Sequence, residues 1–432
     1  MHNLRDNNGE KPIANARRHK ILLIAPTVDR SDVGESFSAF QWAQHLGDKH
    51  DVTLLTYHKR NRPPASQQLC GPRIIEWPEL PLIGRAERFN SIVKPGYFAF
   101  HLRARRWLRK ALARGERFDL AHQPVPAAMR YPSPAAGLGI PLILGPVGGG
   151  LTTPDGFLGD EGNNPWFMKL RELDAVRWRW DRSLRGTYEE AACVFGVAPY
   201  VRERLRAVKI KRFEVITDTG LEYLPDPIDR SGRDGPVRLL YVGRLIRTKG
   251  AIDIIRALST RPDLDAVLDI VGDGPDHAAC AELIENLGMK ERVVLHGWKS
   301  KAEVSAFYHT ADVFIFPSYR ETGGYVVVEA MAHSLPLVVA DRGGPGSATT
   351  AACAIKLNIT TPDALIQDLA VAIEKLCKDA GLRQEMGKAA HRHAKETALW
   401  AIKIDKVNSI YSEIIASNLR DVEDRANRTS GR

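Results

Sequence analysis

Ala311-Asp-Val-Phe-Ile-Phe-Pro317, followed after three residues by Glu321-Thr-Gly-Gly-Tyr-Val-Val-Val-Glu329 and Ala330-Met-Ala-His333, reads as strand, loop and helix in direct succession. Val313 to Phe316 is a β-branched and aromatic run without alternation, the mark of a strand buried on both faces. Pro317 ends it, and a helix follows that finishes near His333. Glu321 therefore sits in the strand-to-helix loop, and Glu329 lies inside the helix, less than two turns from its start. The glycine pair lets a ligand approach the free backbone amides at the helix N-terminus, where anions are favoured. A strand passing directly into a helix is the building unit of a doubly wound parallel sheet.

The same unit recurs on both sides of this stretch. Strands are expected at Val237–Gly243, Ala266–Val271, Val293–His296 and Leu335–Ala340, with helices between them. Upstream, Lys20–Ala25, Asp51–Thr56, Phe118–His122, Pro141–Gly145 and Ala192–Val197 repeat the pattern, with helices over Ser36–Leu46 and Trp166–Glu190. Leu221 to Pro236, rich in Pro, Gly and Asp, reads as a linker. The expected fold is therefore α/β, with two facing doubly wound, Rossmann-like parallel-sheet domains and C-terminal helices. The expected division is a polar tail over 1–18, a first domain over 19–220, the linker over 221–236, a second domain over 237–395, a C-terminal helix over 396–420 and a polar tail over 421–432. Ligands of such sheets bind beyond the strand C-terminal ends, so two facing domains imply a site in the cleft.

A chain of 432 residues suits two domains, and its 44% apolar and 26% charged residues are globular values. The N-terminus carries no signal-peptide core, and no apolar run reaches membrane-spanning length. The five cysteines are scattered and lack Cys-x-x-Cys spacing, so neither disulfides nor a structural zinc site is expected, and a cytoplasmic setting fits. The net charge of +9 is uneven: residues 1–220 carry 34 Lys+Arg against 23 Asp+Glu, and the rest 27 against 29. Such asymmetry suits a first half that meets an anionic substrate or surface, although a solvated basic face is also allowed.

Three constellations in the second half could carry chemistry. In Gly243-Arg244-Leu-Ile-Arg-Thr-Lys249-Gly250, two cations five residues apart follow a strand end. They suit one shared anion, such as a diphosphate leaving group, and equally suit two solvated loop cations. Val271-Gly-Asp-Gly-Pro275 places Gly272 and Gly274 in a tight turn that permits close backbone approach, or that only joins a strand to a helix. The third is the Glu321–Glu329 pair, which fits a sugar hydroxyl and a vicinal diol, or one loop carboxylate and one helix-face carboxylate.

In this order, with His296-Gly-Trp298 and Pro317-Ser-x-x-Glu321 between them, the motifs resemble the retaining transferases of glycosyltransferase family 4, of glycosyltransferase-B type. The resemblance covers about residues 236–395, and the first half matches in pattern only. Thr-Gly-Gly after Glu321 and Arg342-Gly-Gly-Pro345 downstream look like the variant of bacterial surface-polysaccharide transferases. The resemblance implies that Arg244 and Lys249 hold a donor diphosphate after Gly243, that Glu321 contacts the transferred sugar, and that Glu329 binds the ribose. It implies that Gly323 belongs to the donor site, that the backbone of Gly324, Tyr325 and Val326 caps the distal phosphate, and that Trp298 and Lys299 border the base. No protein nucleophile, cofactor or metal is implied beyond the nucleotide-sugar itself. The lone Asp263-Leu-Asp265 precedes a buried strand and reads as a turn.

In the first half, Asp32-Val-Gly34-Glu35-Ser36 occupies the place of the family's glycine loop near donor and acceptor, with one glycine where two are common. His122 stands where family members carry a histidine close to the sugar, and a strand-end histidine is also a common structural residue. Gly145-Pro-Val-Gly-Gly-Gly150 reads as cleft lining, hinge or turn. His101–Arg117 holds seven cations and one acid interleaved with apolar residues. Arg103, Arg105, Arg106, Arg109 and Lys110 suit contact with an anionic membrane, and an inward-packed amphipathic helix suits the same residues. The resemblance thus implies a cytoplasmic enzyme, peripheral on the membrane, that moves a sugar to a glycan or lipid-linked acceptor. A nucleotide-sugar epimerase and a non-catalytic binding subunit on the same fold are the alternatives; no nucleic-acid motif is present.

Overall fold

The computed structural model describes residues 18–32, 34–79, 96–159, 178 and 180–430. The first sheet contains β1 (Lys20–Thr27), β2 (Asp51–His58), β3 (Arg73–Pro78), β4 (Leu120–Gln123), β5 (Leu142–Val147), β6 (Cys193–Gly196) and β7 (Phe213–Val215). The second contains β8 (Val237–Val242), β9 (Ala266–Val271), β10 (Val293–Gly297), β11 (Val313–Phe316), β12 (Leu337–Ala340) and β13 (Ala354–Leu357). The strand orders are β3-β2-β1-β4-β5-β6-β7 and β10-β9-β8-β11-β12-β13. Every pairing is parallel, so this is the expected pair of doubly wound sheets. In each sheet the order reverses beside the first strand: between β1 and β4, and between β8 and β11. Those reversals open the crevices in which such sheets bind ligands.

The cause is legible in the strands. Ile21 to Ala25 of β1 and Val313 to Ile315 of β11 are fully buried, as both faces of a parallel sheet covered by helices require. Alternate residues divide between faces: Ile21, Leu23 and Ala25 join one apolar cluster, while Leu22 and Ile24 join another. Three strands, β3, β7 and β13, lie outside the expected set. Each is a sheet edge, and β3 and β7 are only partly buried along their length.

The chain end differs from expectation. A helix over 396–420 and a polar tail from 421 were expected; one helix instead runs Trp400–Ser430, preceded by the helix Ala380–Thr397. Trp400, Ile404, Val407, Tyr411, Ile414 and Ile415 line its inner face and join the core of the first domain. Their spacing of three and four residues is that of one helical stripe. The last helix of the chain therefore belongs to the first domain's packing. Its return crosses beside the outgoing linker: Leu221 N–H donates to Ala398 O at 2.9 Å, and Trp400 N–H to Leu221 O at 3.0 Å. A second fastening comes from the segment after β5, where the fully buried Phe157 enters the second domain's core with its ring 4.4 Å from that of Tyr319.

The basic helix is Gly96–Ala113. Its Tyr97, Phe100, Ala104, Leu108 and Ala111 pack inward, while Phe98, Leu102, Arg103, Arg106, Arg109 and Lys110 face outward. Arg105 does not join the outward set, because its guanidinium donates to Pro134 O at 3.1 Å and Ala136 O at 2.7 Å. Arg105 is thus withdrawn from the expected membrane-facing cations. The expected helix over Trp166–Glu190 lies mostly outside the described residues, and its described end is the helix Arg182–Glu190.

Candidate active site

Arg244 and Lys249 leave the C-terminal end of β8, and Glu321 leaves the end of β11, so all three stand at the second sheet's switch point. The loop between the two cations is held from beneath. Arg247 forms a double ion pair with Asp253 at 2.5 and 3.0 Å, and Asp253 is fully buried. Gly250 has φ +82°, and a Cβ there would stand 2.7 Å from the Pro317 ring, so only glycine lets the loop turn against β11. With Arg247 thus committed, Arg244 is exposed and its side chain makes no hydrogen bond or ion pair among the described residues. Lys249 reaches across to the Glu321 carboxylate and donates to Arg320 O at 3.2 Å.

Glu321 ties the loop together. Its Oε1 accepts from the amides of Gly323 (3.2 Å) and Gly324 (3.3 Å), just before the helix Tyr325–Ala332, and its Oε2 meets Lys249. Burial opposes its ionisation, but Lys249 and the two amides outweigh burial and hold its carboxyl below the usual glutamate range. The Gly324 amide, expected to face phosphate, is here shared with Glu321. Tyr325 and Val326 follow as the first two helical residues. Gly324 has φ +77° and abuts the Pro345 ring at 3.2 Å from a would-be Cβ, so the turn again demands glycine.

Glu329, one helix face further on, accepts from the Tyr308 hydroxyl at 3.1 Å. Burial pushes its pKa up, and Lys301 and Tyr308 work against that rise. Lys301 Nζ lies 3.3 Å from the Tyr325 hydroxyl and 5.8 Å from the centre of the Phe37 ring, which belongs to the first domain. Sequence reasoning missed Lys301 and Tyr308, both on the helix Lys301–Thr310. The helix was readable, but no motif points from it to Glu329.

The other expected residues are distributed unevenly. Gly272 and Gly274 are packing residues: a Cβ on either would stand 1.9 Å from Gly243 O or 2.3 Å from Leu245 O, and their loop fixes that of Arg244. Trp298 is three-quarters exposed after Gly297, and Lys299 lies 3.8 Å from Glu303. Neither forms a hydrogen bond or ion pair with Glu321 or Glu329 among the described residues. Gly34, at φ +76°, starts the helix Glu35–Lys49 and has no atom within 4 Å of its would-be Cβ. Gly148 comes within 3.7 Å of Thr322 by the same measure, so the glycine run after β5 does face the opposite domain.

His122 does not reach the cleft, contrary to expectation. It is fully buried, its Nε2 donates to Gly145 O at 2.5 Å, and its Nδ1 accepts from the Tyr411 hydroxyl at 2.6 Å. Trp42, Phe195 and Tyr411 ring it edge-on, and burial lowers its pKa to about 4. It is a satisfied core histidine with both nitrogens engaged. Asp218, by contrast, was missed. It follows β7 in Thr217-Asp-Thr-Gly220, and its Oδ1 is buried without a hydrogen-bond partner, 2.8 Å from the would-be Cβ of Gly323. Ser38 Oγ donates to its backbone carbonyl at 2.9 Å. Burial raises its pKa against the pull of the buried Lys403 from the returning helix, and Glu321 adds to the rise. The first domain's leading helix, the segment after β7 and the Glu321 loop therefore meet at one point.

Two facing Rossmann-like domains, with Arg244, Lys249 and Glu321 at the second domain's switch point, have the architecture called glycosyltransferase-B. The chain belongs to the group 1 glycosyl transferases: the model "Glycosyl transferases group 1" matches residues 228–393, and the "Glycosyl transferase 4-like domain" matches residues 37–217. It is 32% identical over 197 residues to a D-inositol 3-phosphate glycosyltransferase of Corynebacterium diphtheriae, covering 43% of this chain and 45% of that protein. The chain thus spans about half the length of the curated relatives it matches. Among solved structures it is similar to sucrose-phosphate synthase from Thermosynechococcus elongatus, with TM-score 0.63 and 19% identity over 93% of this chain and 100% of that one. It is also similar to Anabaena HepE in complex with UDP, with TM-score 0.62 and 17% identity over 91% and 100%.

Proposed function

We propose that this protein is a retaining glycosyltransferase that moves a sugar from a nucleoside-diphosphate donor to a glycan acceptor, lipid-linked, in envelope or extracellular polysaccharide synthesis. One observation carries this reading: Lys249 and Glu321 converge at the switch point, with Arg244 exposed beside them. The UDP named in the HepE structure supports a nucleotide ligand for this architecture. The donor diphosphate displaces Glu321 from Lys249 and is held by Lys249 and Arg244, which leaves Glu321 to accept from a sugar hydroxyl. Glu329 accepts from the ribose.

In the transfer step, the acceptor hydroxyl attacks the anomeric carbon on the face from which the diphosphate departs. The new C–O bond forms as the bond to the diphosphate oxygen breaks. The bonding pair leaves on the diphosphate, and the hydroxyl proton passes to a leaving phosphate oxygen. The two cations stabilise the charge that develops there, an effect worth about 2.7–4 kcal/mol per preorganised donor. The outward cations Arg103, Arg106, Arg109 and Lys110, beside the exposed Phe98 and Leu102, are suited to hold the enzyme on the anionic cytoplasmic face of a membrane. No helix among the described residues is long and apolar enough to cross one.

The test is turnover of nucleotide-sugars by purified protein with a lipid extract as acceptor source, reading both released nucleoside diphosphate and glycosylated product. Lys249→Ala is expected to lower kcat about 10²–10³-fold. Full turnover by Lys249→Ala and Arg244→Ala alike would refute the mechanism. Conversion of the nucleotide-sugar without any acceptor would point to an epimerase instead.

A further inference from the structure

A cavity of about 660 Å³ opens between the two domains, away from Arg244 and Lys249. Its first-domain wall is Leu151, Thr152 and the helix Tyr200–Arg204; its second-domain wall is the turn Asp341 to Gly343. Two guanidiniums from opposite domains converge there on one residue. Arg342 Nη2 donates to Thr152 O at 2.7 Å, and Arg204 Nη2 donates to Thr152 Oγ1 at 2.8 Å. Arg206 adds a third on the same wall.

None of these three arginines forms an ion pair among the described residues. The acids on the wall do not answer them: Asp341 lies 3.5 Å from Lys356, and Glu203 is exposed. The Nε of Arg342 is buried and has no hydrogen-bond partner. Burial lowers the pKa of Arg342, and the neighbouring Arg204 lowers it further. A half-buried guanidinium with an unsatisfied buried donor, held beside a second, exposed guanidinium, is costly unless an anion completes the site. A phosphate suits it best, because its oxygens match the planar fork of a guanidinium.

The cavity adjoins the reacting loop. A Cβ on Gly343 would stand 2.1 Å from Glu321 O and 2.9 Å from Leu151 Cδ2, so Arg342 sits one residue from the loop that carries the sugar-binding carboxylate. The hydroxyl of Tyr200, on the same wall, is buried beside the Gly149 backbone, and Glu321 is among the charges that act on it. An anion bound here would lie beside the Glu321 loop. Arg244 and Lys249 are not on the wall, so it is not the donor diphosphate.

We propose that this cavity holds a phosphate group of the acceptor, so that the accepting molecule is a phosphomonoester or diphosphate ester with its reacting hydroxyl near Glu321. This rests on the transferase reading above. The shared chemistry admits a soluble sugar phosphate or a polyprenyl-diphosphate glycan, and the experiment separates the two.

The full-length protein is titrated calorimetrically with inorganic pyrophosphate, alone and with the donor site saturated by nucleoside diphosphate. A soluble hexose phosphate and zwitterionic vesicles doped with polyprenyl diphosphate follow. Pyrophosphate binding is expected to persist under saturating nucleotide, to weaken with salt, and to fall at least about tenfold in Arg342→Gln and Arg204→Gln. Nucleotide affinity should stay within about twofold in both. Arg204 is exposed, so its variant reports on the site even if Arg342→Gln fails to fold. Arginine-dependent vesicle binding names the lipid-linked ester; arginine-dependent hexose-phosphate binding alone names the soluble one. Pyrophosphate that is displaced by nucleotide, or bound equally by both variants, would overturn the proposal. Failure of any nucleotide to bind would refute the donor reading, and the pyrophosphate titration without nucleotide would still report on the cavity.

Discussion

At the residue scale, the two glutamates are set apart by their partners. Glu321 stands against Lys249 and two amides, which favour its ionised form; Glu329 is buried against a tyrosine hydroxyl, with Lys301 too weak to cancel the burial. A carboxyl with a raised folded pKa costs stability as pH rises from the usual glutamate value of 4.5 through the raised one. On the proposed function binding runs the other way, because only the carboxylate of Glu329 could accept from both ribose hydroxyls. Affinity for a nucleotide-sugar, whose phosphates do not titrate in this range, should therefore fall on acidification at a higher pH than an ordinary glutamate would give. Titrations across pH should show that step in the unmodified protein and a flat, weaker profile in Glu329→Gln. Parallel profiles would remove Glu329 from the ribose site.

Residue positions were partly legible in the sequence. Arg244 and Lys249 in one loop, and Glu321 and Glu329 in a second loop and its helix, were singled out by their motifs, and the structure brings Lys249 to Glu321. Asp218, Lys301 and Tyr308 come from segments distant in sequence, and their importance exists only once strands β7 to β11 are assembled. His122 shows the reverse failure. The family resemblance implied the cleft, but a neighbour 289 residues away, Tyr411, seals it into the core.

At the element scale, central strands announced themselves and edges did not. A strand buried on both faces must be continuously apolar, as Leu22 to Ala25 and Val313 to Phe316 are. An edge strand such as Arg73–Pro78 mixes charge with apolar residues and reads as loop. The returning helix Trp400–Ser430 was visible as a helix, but its polar outer half suggested an early end. The side that carries Trp400, Val407 and Tyr411 determines where it packs. Trp400 is nearly fully buried, edge-on to Trp42 at 5.3 Å between ring centres. Trp400→Ala should cost about 3–5 kcal/mol by loss of buried surface and the cavity left behind. Chemical denaturation should place that loss in the transition reporting the first domain. An unchanged midpoint would mean that the helix is not part of that core.

At the scale of the molecule, two sheets of the same winding face each other and are joined at several places. The linker and the returning chain pair at Leu221 and Leu399, Phe157 enters the second domain's core, and Arg342 reaches Thr152. The proposed site sits among these joints. The proposed donor loops are carried wholly by the second domain, and Gly148 and Asp218 approach the Glu321 loop from the other side. On the proposed function such a division would let one domain hold the nucleotide while the other presents the acceptor. The quoted motifs would then gather in residues 236–395 because a nucleotide-binding loop set is shared chemistry, whereas an acceptor surface differs with each acceptor.

The most direct measurement is the thermal unfolding midpoint of the purified protein with UDP, GDP, ADP and their common sugar conjugates, repeated with Glu329→Ala. The account predicts stabilisation by one nucleotide family and its loss in the variant, since a ligand bound to the folded state alone raises the midpoint by mass action. No shift with any nucleotide, or an equal shift in Glu329→Ala, would contradict the assignment of this cleft to a nucleotide-sugar donor.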